Sequence, residues 1–104
     1  FQDYFMVFKL VSDQLGAKEV IRMKLNCNYP TDEIIEHGFH IDTEENSKTS
    51  IFYMNTNNGY TKFEDGTIIE SVANRFVTFP NHTEHTGTST SDSDYRLVVN
   101  FNYA

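Results

Sequence analysis

A mainly β domain, built as a sandwich or partly closed barrel and preceded by one helix, is what the sequence predicts. Two observations carry this. Apolar residues recur every third or fourth position only as far as Gly16, after which short runs of alternating polarity take over. Those runs are separated by turn-forming clusters at the spacing of an all-β fold. The size agrees: 104 residues suit one domain over 1–104, and nine Phe and six Tyr are enough to fill its core.

The helix is read from Phe1, Tyr4, Phe5, Phe8, Val11 and Leu15, one stripe that would cover a face of a sheet, with Gly16 as its stop. From Val20 to Cys27 the chain alternates, setting Lys24 and Asn26 against Met23, Leu25 and Cys27. Tyr29-Pro30-Thr31-Asp32 reads as a turn. Further strands are expected at 34–37, 39–42, 50–55, 60–63, 67–72, 75–79, 84–88 and 95–102. Asn57-Asn58-Gly59 and Glu64-Asp65-Gly66 have hairpin-turn chemistry, since Asn and Gly tolerate positive φ. Glu44 to Lys48 and the Thr/Ser/Asp-rich stretch Thr86 to Asp94 read as solvated loops. In the last strand Arg96, Val98, Asn100 and Asn102 share one face, and Leu97, Val99, Phe101 and Tyr103 the other.

Charge narrows the partners. Eight basic against 15 acidic residues give a net charge of -7, which repels phosphate backbones and argues against a nucleic-acid binder. No apolar run approaches a transmembrane length, and no leader pattern opens the chain, which starts at Phe1 and reads as a fragment. A single cysteine, Cys27, forms no internal disulfide, so a reducing cytoplasm is the expected compartment.

The residues that carry chemistry begin with His40-Ile41-Asp42. On a strand, positions i and i+2 face the same way, so an imidazole and a carboxylate project together and can occupy two adjacent sites on a metal ion. The third ligand must come from elsewhere, and His85, beyond Phe76-Val77-Thr78-Phe79-Pro80, is the candidate, with His82 as its competitor. Two histidines and one carboxylate on a triangular face leave three positions open, the arrangement that suits non-haem Fe(II) and O₂. Arg96 adds a guanidinium that is costly to bury without an anion and that forks onto a carboxylate. A dicarboxylate cosubstrate would chelate the metal at one end and meet Arg96 at the other. The plainer readings are a hydrogen-bonded core His40, a turn-capping Asp42 and a surface pair of Arg96 with Asp92 or Asp94.

His40-x-Asp42, then Phe79-Pro80-x-x-x-x-His85-x-Gly87, then Tyr95-Arg96-x-x-x-Asn100-Phe101 resemble the 2-oxoglutarate- and Fe(II)-dependent dioxygenases of the prolyl 4-hydroxylase-like branch. Ser50 to Asn55 and Gly59 to Phe63 look like that family's strand, turn and second strand, and Ile51 to Pro80 is similar to small members from bacteriophage and marine microbes. The resemblance spans about residues 20–103. It implies a double-stranded β-helix (jelly roll) with the metal between two sheets, and a chain lacking the family's N-terminal helices. It favours His85 over His82, by the spacing from Phe-Pro, and makes His40, Asp42 and His85 the catalytic and metal residues. It also implies that Arg96 and Tyr29 bind the cosubstrate, while Tyr53 reads as core and His37 as surface. The implied activity is hydroxylation of a peptidyl prolyl or other amino-acid C–H, using Fe(II), O₂ and 2-oxoglutarate, on a small-molecule or peptide substrate in a bacterial or phage-infected host cytoplasm. Alternatives are a non-catalytic jelly-roll binding or structural module, and base demethylation, which Asn26-x-x-Tyr29 suggests but the missing second arginine after Arg96 opposes. A cupin metal site would ask for His-x-His with a following Glu, and this chain has Asp42 in the second slot.

Overall fold

The structure is a computed structural model that describes residues 20–42 and 47–103. Seven strands run through them: β1 (Val20–Asn28), β2 (Lys48–Tyr53), β3 (Tyr60–Phe63), β4 (Ile68–Glu70), β5 (Phe76–Pro80), β6 (His85–Gly87) and β7 (Arg96–Tyr103). They form two antiparallel sheets, a larger one in the order β1-β7-β2-β5 and a smaller one in the order β4-β3-β6. The fold is a mainly β jelly roll. The helix expected over 1–16 lies outside the described residues, as does most of the 44–48 loop.

β7 organises the molecule. It pairs with β1 on one side and β2 on the other, and its two faces do different work. Val98 packs toward the smaller sheet with Ile51, Tyr53 and Phe79, against Phe63 of β3 and Ile69 of β4. Val99, Phe101 and Tyr103 form a second apolar cluster on the opposite face, with Phe52 and Met54. Alternation in the sequence had divided this strand in the same way, because side chains on a pleated strand must alternate.

Three expectations need correction. The segments 34–37 and 39–42 are not strands; they meet β6 and its extension through single-residue bridges, Glu36 to Thr88 and His40 to His85. Gly38 separates these bridges at φ +110°, a conformation that L side chains rarely adopt and that breaks a pleated run. Asn57-Asn58-Gly59 does not close a hairpin, since β2 and β3 belong to different sheets. Here Asn57 Oδ1 accepts the Gly59 amide at 2.8 Å, and the chain crosses between the sheets. Glu64-Asp65-Gly66 does close one, with Phe63 N donating to Thr67 O at 2.8 Å. Finally, Thr86, Thr88, Ser89 and Thr90 are buried rather than solvated. Each of their hydroxyls has a partner: the Gly38, Tyr60 and Ile35 amides donate to Thr86 Oγ1 (3.0 Å), Thr88 Oγ1 (2.9 Å) and Ser89 Oγ (2.9 Å), and Thr90 Oγ1 donates to Asn58 Oδ1 at 3.2 Å. A polar sequence is thus carried inside without orphaned groups on those hydroxyls.

Candidate metal centre

His40 and His85 are brought together by backbone. The His40 amide donates to the His85 carbonyl at 2.9 Å, and the His85 amide donates to the His40 carbonyl at 3.0 Å. Such a reciprocal pair sets two residues directly opposite each other, with their side chains on the same face. The imidazole centroids are 4.7 Å apart. Asp42, two residues beyond His40, completes the group: its Oδ1 lies 3.2 Å from His40 Nε2 and 3.5 Å from His85 Nε2. One ligand atom from each residue falls within 4.8 Å of the others.

The hydrogen bonds behind these side chains fix the ring tautomers. His40 Nδ1 lies 3.0 Å from the Gly38 carbonyl, and His85 Nδ1 lies 3.1 Å from the Thr83 carbonyl. A carbonyl only accepts, so each Nδ1 carries the proton and each neutral ring offers its Nε2 lone pair to the shared centre. Asp42 is steadied through Oδ2, which accepts from the Asn100 and Asn102 amides at 3.4 and 3.5 Å. His85 is packed edge-on against Phe79 and is 2 % exposed, Asp42 is 5 % exposed, and His40 opens to solvent at 50 %.

Burial by itself would raise the Asp42 carboxyl, but the contact and charge of His85, the Asn100 amide and the charge of His40 outweigh it and hold the group at about 2. Burial would lower His85, yet the Asp42 contact, the Thr83 carbonyl and the Asp42 charge prevail and raise it above the ordinary histidine value. His85 Nε2 is buried, and Asp42 Oδ1, 3.5 Å away, pairs with it by charge without meeting it in a well-formed hydrogen bond. Leaving a buried polar nitrogen unsatisfied costs about 1–3 kcal/mol. A divalent cation would take that lone pair, a second imidazole nitrogen and an ionised oxygen, a donor set of one carboxylate and two histidines that fits non-haem iron as well as other first-row metals.

The group lies between two cavities. One, about 200 Å³, has His40, His85, Thr61, Gly87 and Arg96 among its walls. The other, about 280 Å³, is bounded by Ile41 and Asp42, with Lys24, Asn26, His40 and Asn100 common to both. Arg96 is 2 % exposed. Its Nε donates to Ser71 Oγ at 3.1 Å and its Nη2 to the Tyr60 carbonyl at 3.3 Å. No carboxylate among the described residues lies within 4 Å of it, so the alternative reading, a surface pairing with Asp92 or Asp94, is not formed. Burial pulls the guanidinium below its ordinary value, with the nearby Tyr53 opposing. Gly59 permits this placement: a Cβ there would stand 2.4 Å from Arg96 Cδ and 2.8 Å from Nε.

Of the residues singled out in the sequence, His40, Asp42 and His85 converge, and Arg96 shares their cavity. Tyr29 does not join them. It is 78 % exposed and absent from both cavity walls, because the chain turns there into the Pro30–Thr90 bridge and leaves the ring in solvent. The buried tyrosine near the site is Tyr53, whose hydroxyl donates to Thr61 Oγ1 at 2.7 Å. His37, read as a surface residue, does reach the wall of the smaller cavity, whereas His82 lines a separate groove with Phe63 and Phe79. The sequence reading missed Asn100, Asn102, Thr61 and Lys24 as parts of the site. The alternation of β1 and β7 was the available signal, since Lys24, Asn26 and Asn28 of β1 and Arg96, Val98, Asn100 and Asn102 of β7 face the metal group or its cavities.

Comparison with known proteins agrees with this architecture. No family profile matches the sequence, and no curated protein matches it closely enough to be called a relative. Among solved structures, a cupin domain from Bordetella pertussis superposes with TM-score 0.60 at 15% identity, covering 84% of each chain. A cupin protein from Bacteroides fragilis gives 0.57 at 8% identity, over 88% of this chain and 71% of that one. A prolyl-4-hydroxylase from Pseudomonas putida gives 0.56 at 17% identity, over 95% of this chain and 60% of that one. At such identities the likeness shows the fold: this chain is built as a cupin-like jelly roll, with a His-Asp-His group able to hold a metal ion.

Proposed function

We propose that this protein is a non-haem Fe(II) oxygenase that uses 2-oxoglutarate to hydroxylate a substrate C–H, with peptidyl prolyl or another amino-acid carbon as the target. The observation that carries the reading is the joint presence, around one cavity, of a two-histidine, one-carboxylate group and a buried arginine with no carboxylate partner among the described residues. Iron held by His40, Asp42 and His85 would supply O₂ activation coupled to decarboxylation of the keto acid.

The protein's own contributions follow from its side chains. Thr83 and Gly38 hold the imidazole tautomers, and the Asn100 and Asn102 amides hold the carboxylate. Arg96 offers its remaining N–H groups to the distal carboxylate of the keto acid, a charge-assisted pairing in a recess shielded from water. Thr61 Oγ1 already accepts from Tyr53, which leaves its own proton free to donate into the same cavity. A prolyl hydroxylase among the similar structures lends the reading further support.

The likeness to two cupins supports a second reading, a metal-binding jelly-roll module without turnover. The test is release of succinate from 2-oxoglutarate on addition of Fe(II) under air, with and without peptide, in the wild type and in His85→Ala. The oxygenase reading expects iron-dependent succinate that the variant loses. Stoichiometric metal binding with no succinate under any condition would favour the module.

A further inference from the structure

Resting on that reading, we infer that the substrate is an amino acid with a free carboxylate, recognised in the larger cavity by Lys24 and Asn100 rather than through an internal peptide residue. Lys24 lies on β1 directly opposite Asn100 of β7, and both residues wall both cavities, beside the metal group. Residues opposed across an antiparallel pair hold their side chains about 5 Å apart, so they present one combined surface.

Three facts give that surface its preference. Lys24 has no carboxylate within 4 Å among the described residues, although the chain is strongly acidic. Asp42 is the one carboxylate that either cavity presents among those residues, and it belongs to the metal group. Asn100 donates through Nδ2 to Asp42, while its buried Oδ1 has no hydrogen-bond partner and stands as an acceptor next to the lysine.

Charge counting points the same way. A divalent metal with Asp42 and a doubly charged keto acid leaves one negative charge, and Arg96 cancels it. The Lys24 charge then remains for a single anion. Its carboxylate would meet the ammonium while an N–H a few bonds away meets Asn100 Oδ1. Both a free amino acid and the C-terminal residue of a peptide carry that chemistry. An internal peptidyl residue lacks the carboxylate.

The experiment is a binding measurement on the Zn(II)-loaded protein, titrated first with 2-oxoglutarate and then observed by saturation-transfer NMR. The probes are the free L-amino acids, each compared with its carboxamide, and tripeptides with free or amidated C-termini. At least one acid should bind about tenfold more tightly than its amide, the lower end for a charged hydrogen bond at a partly exposed site. Lys24→Met should abolish that preference and Lys24→Arg should keep most of it, with thermal unfolding unchanged in both. The relative response of free amino acids and free-ended tripeptides then identifies the source. Equal binding of acids and amides, or a preference that survives Lys24→Met, overturns the inference while the 2-oxoglutarate step, read separately, leaves the oxygenase reading standing. Failure of that first step sinks both.

Discussion

Gly59→Ala is a single methyl placed against the arginine of the cavity, and its effect can be worked from distances. The added Cβ would meet Arg96 Cδ at 2.4 Å, Arg96 Nε at 2.8 Å and Asn57 Oδ1 at 2.7 Å, where ordinary contact begins at 3.4 Å. Arg96 must therefore shift by about 1 Å at its stem, which breaks the 3.1 Å bond from Nε to Ser71 Oγ. Overpacking of this kind costs about 1–3 kcal/mol. In a domain of this size each kcal/mol lowers Tm by roughly 4–8 °C. Because the displaced group is the proposed carboxylate anchor, affinity of the metal-loaded protein for 2-oxoglutarate should fall by about tenfold or more, the worth of a charge-assisted hydrogen bond. The assay is a double-mutant cycle by denaturant unfolding and calorimetric titration, with Arg96→Ala as the second change. In the Arg96→Ala background most of the Gly59→Ala cost should vanish, leaving only the Asn57 contact. Strict additivity of the two changes would refute the reasoning, because non-interacting sites add and colliding ones do not.

Other consequences are simpler to check. Arg96→Ala should weaken 2-oxoglutarate binding far more than Fe(II) binding; equal cosubstrate affinity in calorimetry would remove Arg96 from its role. Gly38→Ala meets no atom within 4 Å but forces an alanine to φ +110°, so about 1–3 kcal/mol of stability should be lost by chemical denaturation, together with metal affinity through the displaced His40. Metal affinity should fall as pH drops through the raised His85 value, since the ion must displace that proton, while Asp42, held at about 2, stays ionised and adds no inflection near neutrality. A Zn(II) titration repeated across pH tests this. In the metal-free protein the sign reverses: a raised His85 contributes stability that is complete below its unfolded value and is lost as pH rises through its folded one.

Local chemistry explains which parts of this arrangement were legible in the sequence. The two faces of β7 followed from alternation, and the β3–β4 hairpin from Glu64-Asp65-Gly66, because both depend on neighbours in the chain. His40 and Asp42 do share a side as expected, though not because they sit in a strand: one bridge at His40 and the Gly38 turn suffice. The amides of Asn100 and Asn102 reach Asp42 only through pairings between distant segments, which no spacing encodes. Tyr29 shows the converse error. A residue type at a familiar place before His-x-Asp was assigned a role, but the Pro30–Thr90 bridge decides its direction. Thr86 to Thr90 read as solvated when polarity is taken for exposure, but their hydroxyls find backbone and side-chain partners inside the fold.

Anaerobic titration of the protein with Fe(II), compared with Asp42→Ala, tests the central claim most directly. One ion per chain should bind to the wild type, with 2-oxoglutarate binding only after the metal, and the variant should lose both events while keeping its β-rich circular dichroism. Iron binding of unchanged strength and stoichiometry in Asp42→Ala would contradict the account.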